Sequence, residues 1–163
     1  ALLLGIDQDK IVTALGNFKG AKRRFEYVVR TADHVYIDDY AHHPEELRAF
    51  LSSMRKLYPT KKLTVVFQPH LFTRTRDFSD GFAEVLGMAD ELLLMDIYPA
   101  RELPIEGVTS LWLLDKVNLD KKRIVSPTDI LQFVADENPE LIVTVGAGDI
   151  DRLVKPIKAI LEK

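Results

Sequence analysis

The residues best suited to chemistry stand together in residues 38–44, whose sequence is DDYAHHP. Asp39 could face a ribose diol or a cation, and His42 a substrate carboxylate or phosphate. A metal site is the less favoured function, because adjacent histidines point in different directions and lack the spacing of a helical HxxxH pair. A structural interpretation is as well supported as a functional one: His43 caps the next helix and Asp38 hydrogen-bonds a turn.

A second polar segment covers residues 68–77, QPHLFTRTRD, and contains His70, Arg74 and Arg76. Arginine suits two-pronged recognition of a carboxylate or a phosphate. These charges could also form a solvated cluster ahead of a helix. Because the segment directly follows the apolar run at residues 63–67, where a buried strand would end, ligand binding is the favoured interpretation.

Three further motifs are less decisive. Residues 146–148, GAG, lie between an apolar run and a helical one, which suits either a phosphate or a tight strand-to-helix turn. The pair Arg23-Arg24 could reach a nucleotide or lie exposed, and residues 98–102, YPARE, are most simply a turn with an internal Arg–Glu pair. The sequence has no GxxxxGK(S/T) motif and no convincing Ser-His-Asp or Cys-His arrangement, so it offers binding groups rather than a complete reaction centre.

Strand and helix patterns alternate around these segments. Short apolar or alternating runs predict strands at residues 25–29, 35–37, 63–67, 91–95, 123–125 and 141–145. Helical spacing predicts helices at residues 7–15, 44–58, 78–88, 109–117, 128–136 and 150–161. This alternation predicts an α/β fold: a mainly parallel sheet with helices on both faces and the polar loops along one edge.

Composition limits the classes of function. The 163 residues, 47% hydrophobic and 29% charged, suit one globular domain. The net charge of −3 gives no reason to expect a nucleic-acid or anionic-membrane partner, and no apolar run approaches the ~20 residues of a membrane span. The absence of cysteine excludes disulfides and thiolate metal sites and is compatible with a cytoplasmic location. Residues 1–5, ALLLG, suggest the end of a helix that begins upstream in a larger protein.

Five segments, taken in order, resemble the C-terminal domain of the Mur ligases. They are residues 18–25 (FKGAKRRF), 38–45 (DDYAHHPE), 67–70 with 73–77 (FQPH and TRTRD), 96–102 (DIYPARE) and 145–150 (VGAGDI). Each is modest alone, but five in the family's order over almost the whole chain are highly specific. The resemblance implies a Rossmann-like domain spanning residues 1–163, with residues 1–4 closing a helix of the preceding central domain.

The resemblance also implies a function. Mur ligases of this kind are cytoplasmic three-domain enzymes of peptidoglycan synthesis, with a UDP-substrate domain, a central ATPase domain and this domain. In the branch whose motifs match, ATP phosphorylates the carboxylate of UDP-N-acetylmuramate, and the amine of L-alanine attacks the acyl phosphate, releasing ADP and phosphate. Magnesium neutralises the transferring phosphate and is held mainly by the other domains, as is the P-loop. The 163 residues alone are therefore expected to be inactive.

Candidate site residues follow from the same resemblance, position by position. Arg24 and Asp39 match ATP contacts, with Asp39 at the ribose, and no position matches a metal ligand. The groups expected to place L-alanine and the muramyl carboxylate are Tyr40, His42, His70 and Arg74. A charge-assisted bond from Arg74 to the amino-acid carboxylate would orient the attacking amine.

Two departures and two alternatives accompany the resemblance. Leu71 stands where many members have Arg, and Ala41 replaces the commoner Gly, which indicates a backbone without positive φ there. The ligase that recycles muramyl tripeptide shares a similar histidine segment, but residues 70–77 favour the alanine branch. A stand-alone nucleotide-binding module without chemistry is the alternative from another class.

Overall fold

One sheet forms the centre of the molecule. The computed structural model describes residues 2–18 and 20–163; Ala1 and Lys19, which belong to the expected helix end and to the 18–25 motif, lie outside the described residues. The strands of the described part are β1 (Glu26–Arg30), β2 (Val35–Asp39), β3 (Leu63–Phe67), β4 (Glu91–Leu94), β5 (Lys122–Ile124) and β6 (Leu141–Val145). Their order is β1-β2-β6-β3-β4-β5, with β1 antiparallel to β2 and all other neighbours parallel.

Helices cover both faces of this sheet. The helices of the described residues are α1 (Gln8–Gly16), α2 (Pro44–Leu57), α3 (Phe72–Asp77), α4 (Ser79–Leu86), α5 (Ser110–Lys116), α6 (Pro127–Glu137) and α7 (Val154–Leu161). Of these, α1 buries none of its residues. One apolar core contains Leu47, Phe82 and Leu113 from α2, α4 and α5, and the other contains Ile130 and Ile157 from α6 and α7. The predicted α/β class is therefore confirmed. Within the described residues, no helix is both long and apolar enough to cross a membrane.

The three central strands end at the same level. Val145 of β6 is paired with Asp39 of β2 on one side and with Phe67 of β3 on the other. Every residue of these three strands is buried. A parallel sheet covered on both faces has apolar side chains on both, which explains why β3 and β6 are apolar except for one buried threonine each, Thr64 and Thr144. In β2, Asp38 and Asp39 are buried although they are acidic, so their carboxylates require partners.

Two local expectations were wrong. Residues 72–77, predicted as part of a polar loop, form the short helix α3. No neighbouring side chain caps this helix; instead the N–H of Thr73 donates to the carboxylate of Glu102, which is distant in sequence, so no local start signal exists. The terminal helix predicted from residue 150 begins as a 3-10 turn, Asp149–Leu153, and becomes α-helical only at Val154.

Candidate active site at the carboxyl edge of the sheet

The carboxyl ends of β2, β6, β3 and β4 bring the polar segments together. The N–H of Gly146, just after β6, donates to the carbonyl of Asp39 at 3.2 Å. The segment after β4 joins the segment after β3, because the N–H of Tyr98 donates to the carbonyl of Pro69 at 2.8 Å. The polar loops therefore share one edge of the sheet, as the alternation of strands and helices predicts.

Four of the predicted site residues form one cluster at this edge. The ring of Tyr40 meets that of His42 edge to face at 5.2 Å between centroids, and the rings of His42 and His70 are 6.0 Å apart. His70 stacks on Tyr98 at 5.7 Å. Arg74, one turn further along the chain, places Nη1 3.3 Å from Nδ1 of His70. The structure thus groups the residues expected on the amino-acid side of the reaction.

A backbone contact fixes the tautomer of the neutral His42 ring. Its Nδ1 lies 2.9 Å from the carbonyl of Tyr40, and because a carbonyl only accepts, Nδ1 carries the proton. In the neutral ring, Nε2 is then an acceptor. The backbone N–H of His42 donates to Glu46 at 2.9 Å. Partial burial opposes ionisation of Glu46, but this bond and the adjacent imidazole lower the pKa of its carboxyl overall.

The surroundings of His70 disfavour a charged imidazole. Burial, the guanidinium of Arg74 and the ring of His42 all lower the pKa of its imidazole. Since the Arg74 guanidinium can only donate, Nδ1 of His70 accepts and Nε2 carries the proton. When both rings are neutral, the pair of histidines offers one acceptor nitrogen and one donor nitrogen.

Glu102 holds the helix that carries Arg74. Its carboxylate accepts the N–H of Thr73 at 2.9 Å and also the Thr73 hydroxyl. These bonds, with the charge of Arg74 further away, lower the pKa of the Glu102 carboxyl. Residues 99–102 do form a turn, because the N–H of Glu102 donates to the carbonyl of Pro99 at 2.9 Å. The expected internal Arg–Glu pair was wrong, since the Glu102 carboxylate binds Thr73 instead. Leu71, at the start of α3, has a φ of 73°, an uncommon conformation for a residue other than glycine.

Asp39 is anchored by backbone on both sides. One carboxylate oxygen accepts the N–H of Phe25 at 2.7 Å, and the other accepts the N–H of Ala41 at 2.8 Å. Each oxygen keeps a second acceptor position, so contact with a ribose hydroxyl stays a prediction. The expectation for Ala41 is confirmed, because its φ is not positive.

The arginine pair lies against Tyr40. The guanidinium carbon of Arg24 is 5.4 Å from the centre of the Tyr40 ring, and that of Arg23 is 5.0 Å away. Arg23 also donates through Nε to Asp38 at 3.3 Å. The other Asp38 oxygen accepts the hydroxyl of Thr144 at 2.6 Å, so Asp38 binds across the sheet and the turn interpretation was wrong. Sequence reasoning missed Arg23 because nothing in the local pattern distinguishes it from Arg24.

The glycine turn after β6 is packed against Gln68, another residue that sequence reasoning missed. A Cβ on Gly146 would lie 2.7 Å from the Gln68 carbonyl oxygen, and one on Gly148 would lie 2.3 Å from Gln68 Oε1. The Gln68 amide donates to Asp149 at 2.8 Å and accepts the N–H of Ile150 at 2.9 Å. Close packing therefore requires both glycines, which supports the tight-turn interpretation.

His43 has the structural role that its position indicates. Its side chain accepts the N–H of Glu45 at 3.4 Å, and its ring packs edge to face on Phe78 at 4.5 Å. His43 therefore caps α2 and points away from the cluster formed by its neighbour.

Comparisons with known proteins agree with this geometry. Residues 23–148 match the family model described as "Mur ligase, glutamate ligase domain". A UDP-N-acetylmuramate–L-alanine ligase of Flavobacterium johnsoniae is 52% identical over 159 residues, which are 98% of this chain and 35% of that protein. The crystal structure of a UDP-N-acetylmuramate–alanine ligase from Thermotoga maritima matches with a TM-score of 0.77 and 25% identity, over 98% of this chain and 34% of that one.

A murein peptide ligase from Psychrobacter arcticus shares the fold, with a TM-score of 0.68 and 21% identity over 91% of this chain and 32% of that one. The chain thus spans about a third of the length of the curated relatives it matches. The family model covers most of the chain, and relatives that are about 50% identical cover nearly all of it. This chain therefore belongs to the Mur ligase family and corresponds to the C-terminal domain of its members.

Proposed function

We propose that this chain is the C-terminal domain of a cytoplasmic, ATP-dependent ligase that joins L-alanine to UDP-N-acetylmuramate in peptidoglycan synthesis. The observation that carries the proposal is the single cluster of Tyr40, His42, His70 and Arg74 at the carboxyl edge of the sheet. It combines a fixed cation with imidazole nitrogens that can donate and accept, a set that suits an amino acid. The relatives at 44–52% identity carry the name of this ligase.

The reaction would proceed in two steps. The γ-phosphoryl group of ATP passes to the muramyl carboxylate, which gives an acyl phosphate and ADP. The amine of L-alanine then attacks the carbonyl carbon, the C–N bond forms, phosphate leaves, and the amine loses a proton. Among the described residues, no three His, Asp or Glu side chains come together as a metal site, so we assign no step to magnesium on this domain.

The cluster would place the attacking amine. The Arg74 guanidinium would bind the carboxylate of L-alanine, and positioning of a reacting group in this way can lower the barrier substantially. Nε2 of His42 would accept a hydrogen bond from the amine, while Tyr40 and His70 would confine the muramyl carboxylate beside it. Arg24 and Asp39 would face ATP, the arginine toward the phosphates and the aspartate toward the ribose.

The test is turnover by the longer protein that contains this chain. Release of ADP and phosphate should require ATP, UDP-N-acetylmuramate and L-alanine together. Turnover with the free tripeptide L-alanyl-γ-D-glutamyl-diaminopimelate in place of L-alanine would instead identify the recycling ligase. Binding of ATP with no turnover on either acceptor would favour a nucleotide-binding module and refute the ligase.

A further inference from the structure

Arg23 connects three parts of the candidate site. Its Nε donates to the Asp38 carboxylate at 3.3 Å, and its Nη2 donates to the carbonyl of Gly146 at 2.5 Å. The same guanidinium lies 5.0 Å from the centre of the Tyr40 ring. A planar group with donors on several sides can make such contacts at once, whereas a lysine ammonium is a point charge that cannot.

The backbone of Arg23 is held as firmly as its side chain. Its φ of 57° lies in the left-handed region, which costs energy in a residue other than glycine. Its N–H donates to the Glu26 carboxylate at 2.8 Å, and its carbonyl accepts the N–H of Tyr40 at 2.8 Å. These bonds fix the turn in the conformation that directs the guanidinium toward Asp38 and Tyr40.

The buried carboxylate explains why a cation is needed at this place. Asp38 is fully buried, and apart from the Thr144 hydroxyl its side chain is bound by Arg23. A buried charge requires a partner, so Asp38 fixes the guanidinium, and the guanidinium in turn is fixed beside Tyr40.

We propose that Arg23 is a positioning residue of the ligase site, which holds the Tyr40 ring in the orientation that serves the amino-acid side of the reaction. This inference rests on the proposed function. Arg23 itself would touch neither L-alanine nor ATP; it acts through the face of Tyr40, with Asp38 and Gly146 as its anchors.

Another arginine provides a matched control. Arg55 donates through Nε to the carbonyl of Met88 at 3.0 Å and through Nη1 to the carboxylate of Asp90 at 2.7 Å. It thus also joins a carbonyl to an aspartate, but Asp90 precedes β4, at the opposite edge of the sheet. Arg55→Met therefore measures the effect of losing a structural arginine without changing the site.

The kinetic experiment uses the longer protein. Arg23→Met should raise the KM for L-alanine by about tenfold or more, the order expected for a lost cation–π contact combined with lost orientation, and should change the KM for ATP much less. The effect should persist in a Tyr40→Phe background, which keeps the ring, and largely disappear in Tyr40→Leu, which removes it. Arg55→Met should leave both KM values near those of the parent.

A second measurement does not depend on turnover. In protein labelled with carbon-13 tyrosine, the Tyr40 ring resonance is identified as the one that Tyr40→Phe removes. This resonance should shift in Arg23→Met and also in Arg23→Lys. The lysine variant keeps a positive charge for Asp38, so it can be used if Arg23→Met does not fold. Any of three results would overturn the proposal. The Tyr40 resonance could stay unchanged, Arg23→Met could raise the KM for L-alanine as much in the Tyr40→Leu background as in the parent, or Arg55→Met could raise that KM as much as Arg23→Met does. An inactive parent protein would contradict the proposed function instead, while the resonance would still decide the role of Arg23.

Discussion

Asp39→Asn provides a direct test of how the site is built. The carboxylate of Asp39 accepts one backbone N–H on each oxygen, from Phe25 at 2.7 Å and from Ala41 at 2.8 Å. An asparagine has one oxygen and one NH2 group, so one of these N–H groups would face another donor. The substitution keeps the size of the side chain and removes one charge-assisted bond in a buried place.

The expected cost follows from these contacts. A hydrogen bond to a charged group contributes about 1.5–3 kcal/mol, and the unpaired N–H adds a desolvation penalty. We therefore expect Asp39→Asn to lower the free energy of unfolding by about 2–4 kcal/mol, a large part of the roughly 5–15 kcal/mol of a typical domain. With an ordinary dependence on urea, the midpoint should fall by about 1–2 M.

The measurement is urea unfolding of the 163-residue chain. Asp7 supplies the control, because a single oxygen of its carboxylate accepts both the Asp9 and the Lys10 N–H at the start of α1. Asp7→Asn keeps that oxygen, and asparagine caps helices as well as aspartate does, so the midpoint should change little. Equal shifts for the two variants would refute the reasoning about Asp39.

Three further predictions follow from the site. In the longer protein, Arg74→Ala should raise the KM for L-alanine about tenfold or more, and Asp39→Ala should raise mainly the KM for ATP, because each variant loses a charge-assisted contact. Steady-state kinetics measures both KM values. Equal effects of one variant on the two substrates would contradict the division of roles. The pKa of the His70 imidazole is lowered from 6.5 in the folded state, so between the two pKa values the unfolded state binds more protons than the folded state. The free energy of unfolding should therefore fall as the pH drops from about 7.5 through 6.5 and further to the lowered pKa. Urea midpoints at several pH values should show a shallower slope in His70→Asn, and an unchanged slope would show that His70 does not titrate in this way. The 163-residue chain should unfold cooperatively, because it has its own apolar cores on both faces of the sheet, and circular dichroism tests this. It should release no phosphate from ATP in the presence of UDP-N-acetylmuramate and L-alanine, because its sequence has no P-loop lysine. Phosphate release in a phosphate assay would refute this second expectation.

The sequence alone was sufficient for the fold class, though not for the order of the strands. The apolar runs of β3 and β6 and the helical spacing of α2 are local patterns, and a covered parallel sheet follows from their alternation. The motif around residues 38–44 could be recognised for the same reason, because polar residues directly after a buried run stand out in the printed sequence. The resemblance to a family then assigned roles that spacing alone left open.

Only the tertiary structure decided which polar residues act together. Arg23 and Asp38 are 15 positions apart, Thr73 and Glu102 are 29 apart, and Gln68 and Asp149 are 81 apart. Such pairs form because separate strands end at one edge, and no local pattern encodes which side chain meets which. The segment at residues 38–44 therefore divides in a way that its letters do not show: Asp38 and Asp39 fold inward to hold backbone and arginine, His43 caps α2, and Tyr40 and His42 alone face the cluster with His70.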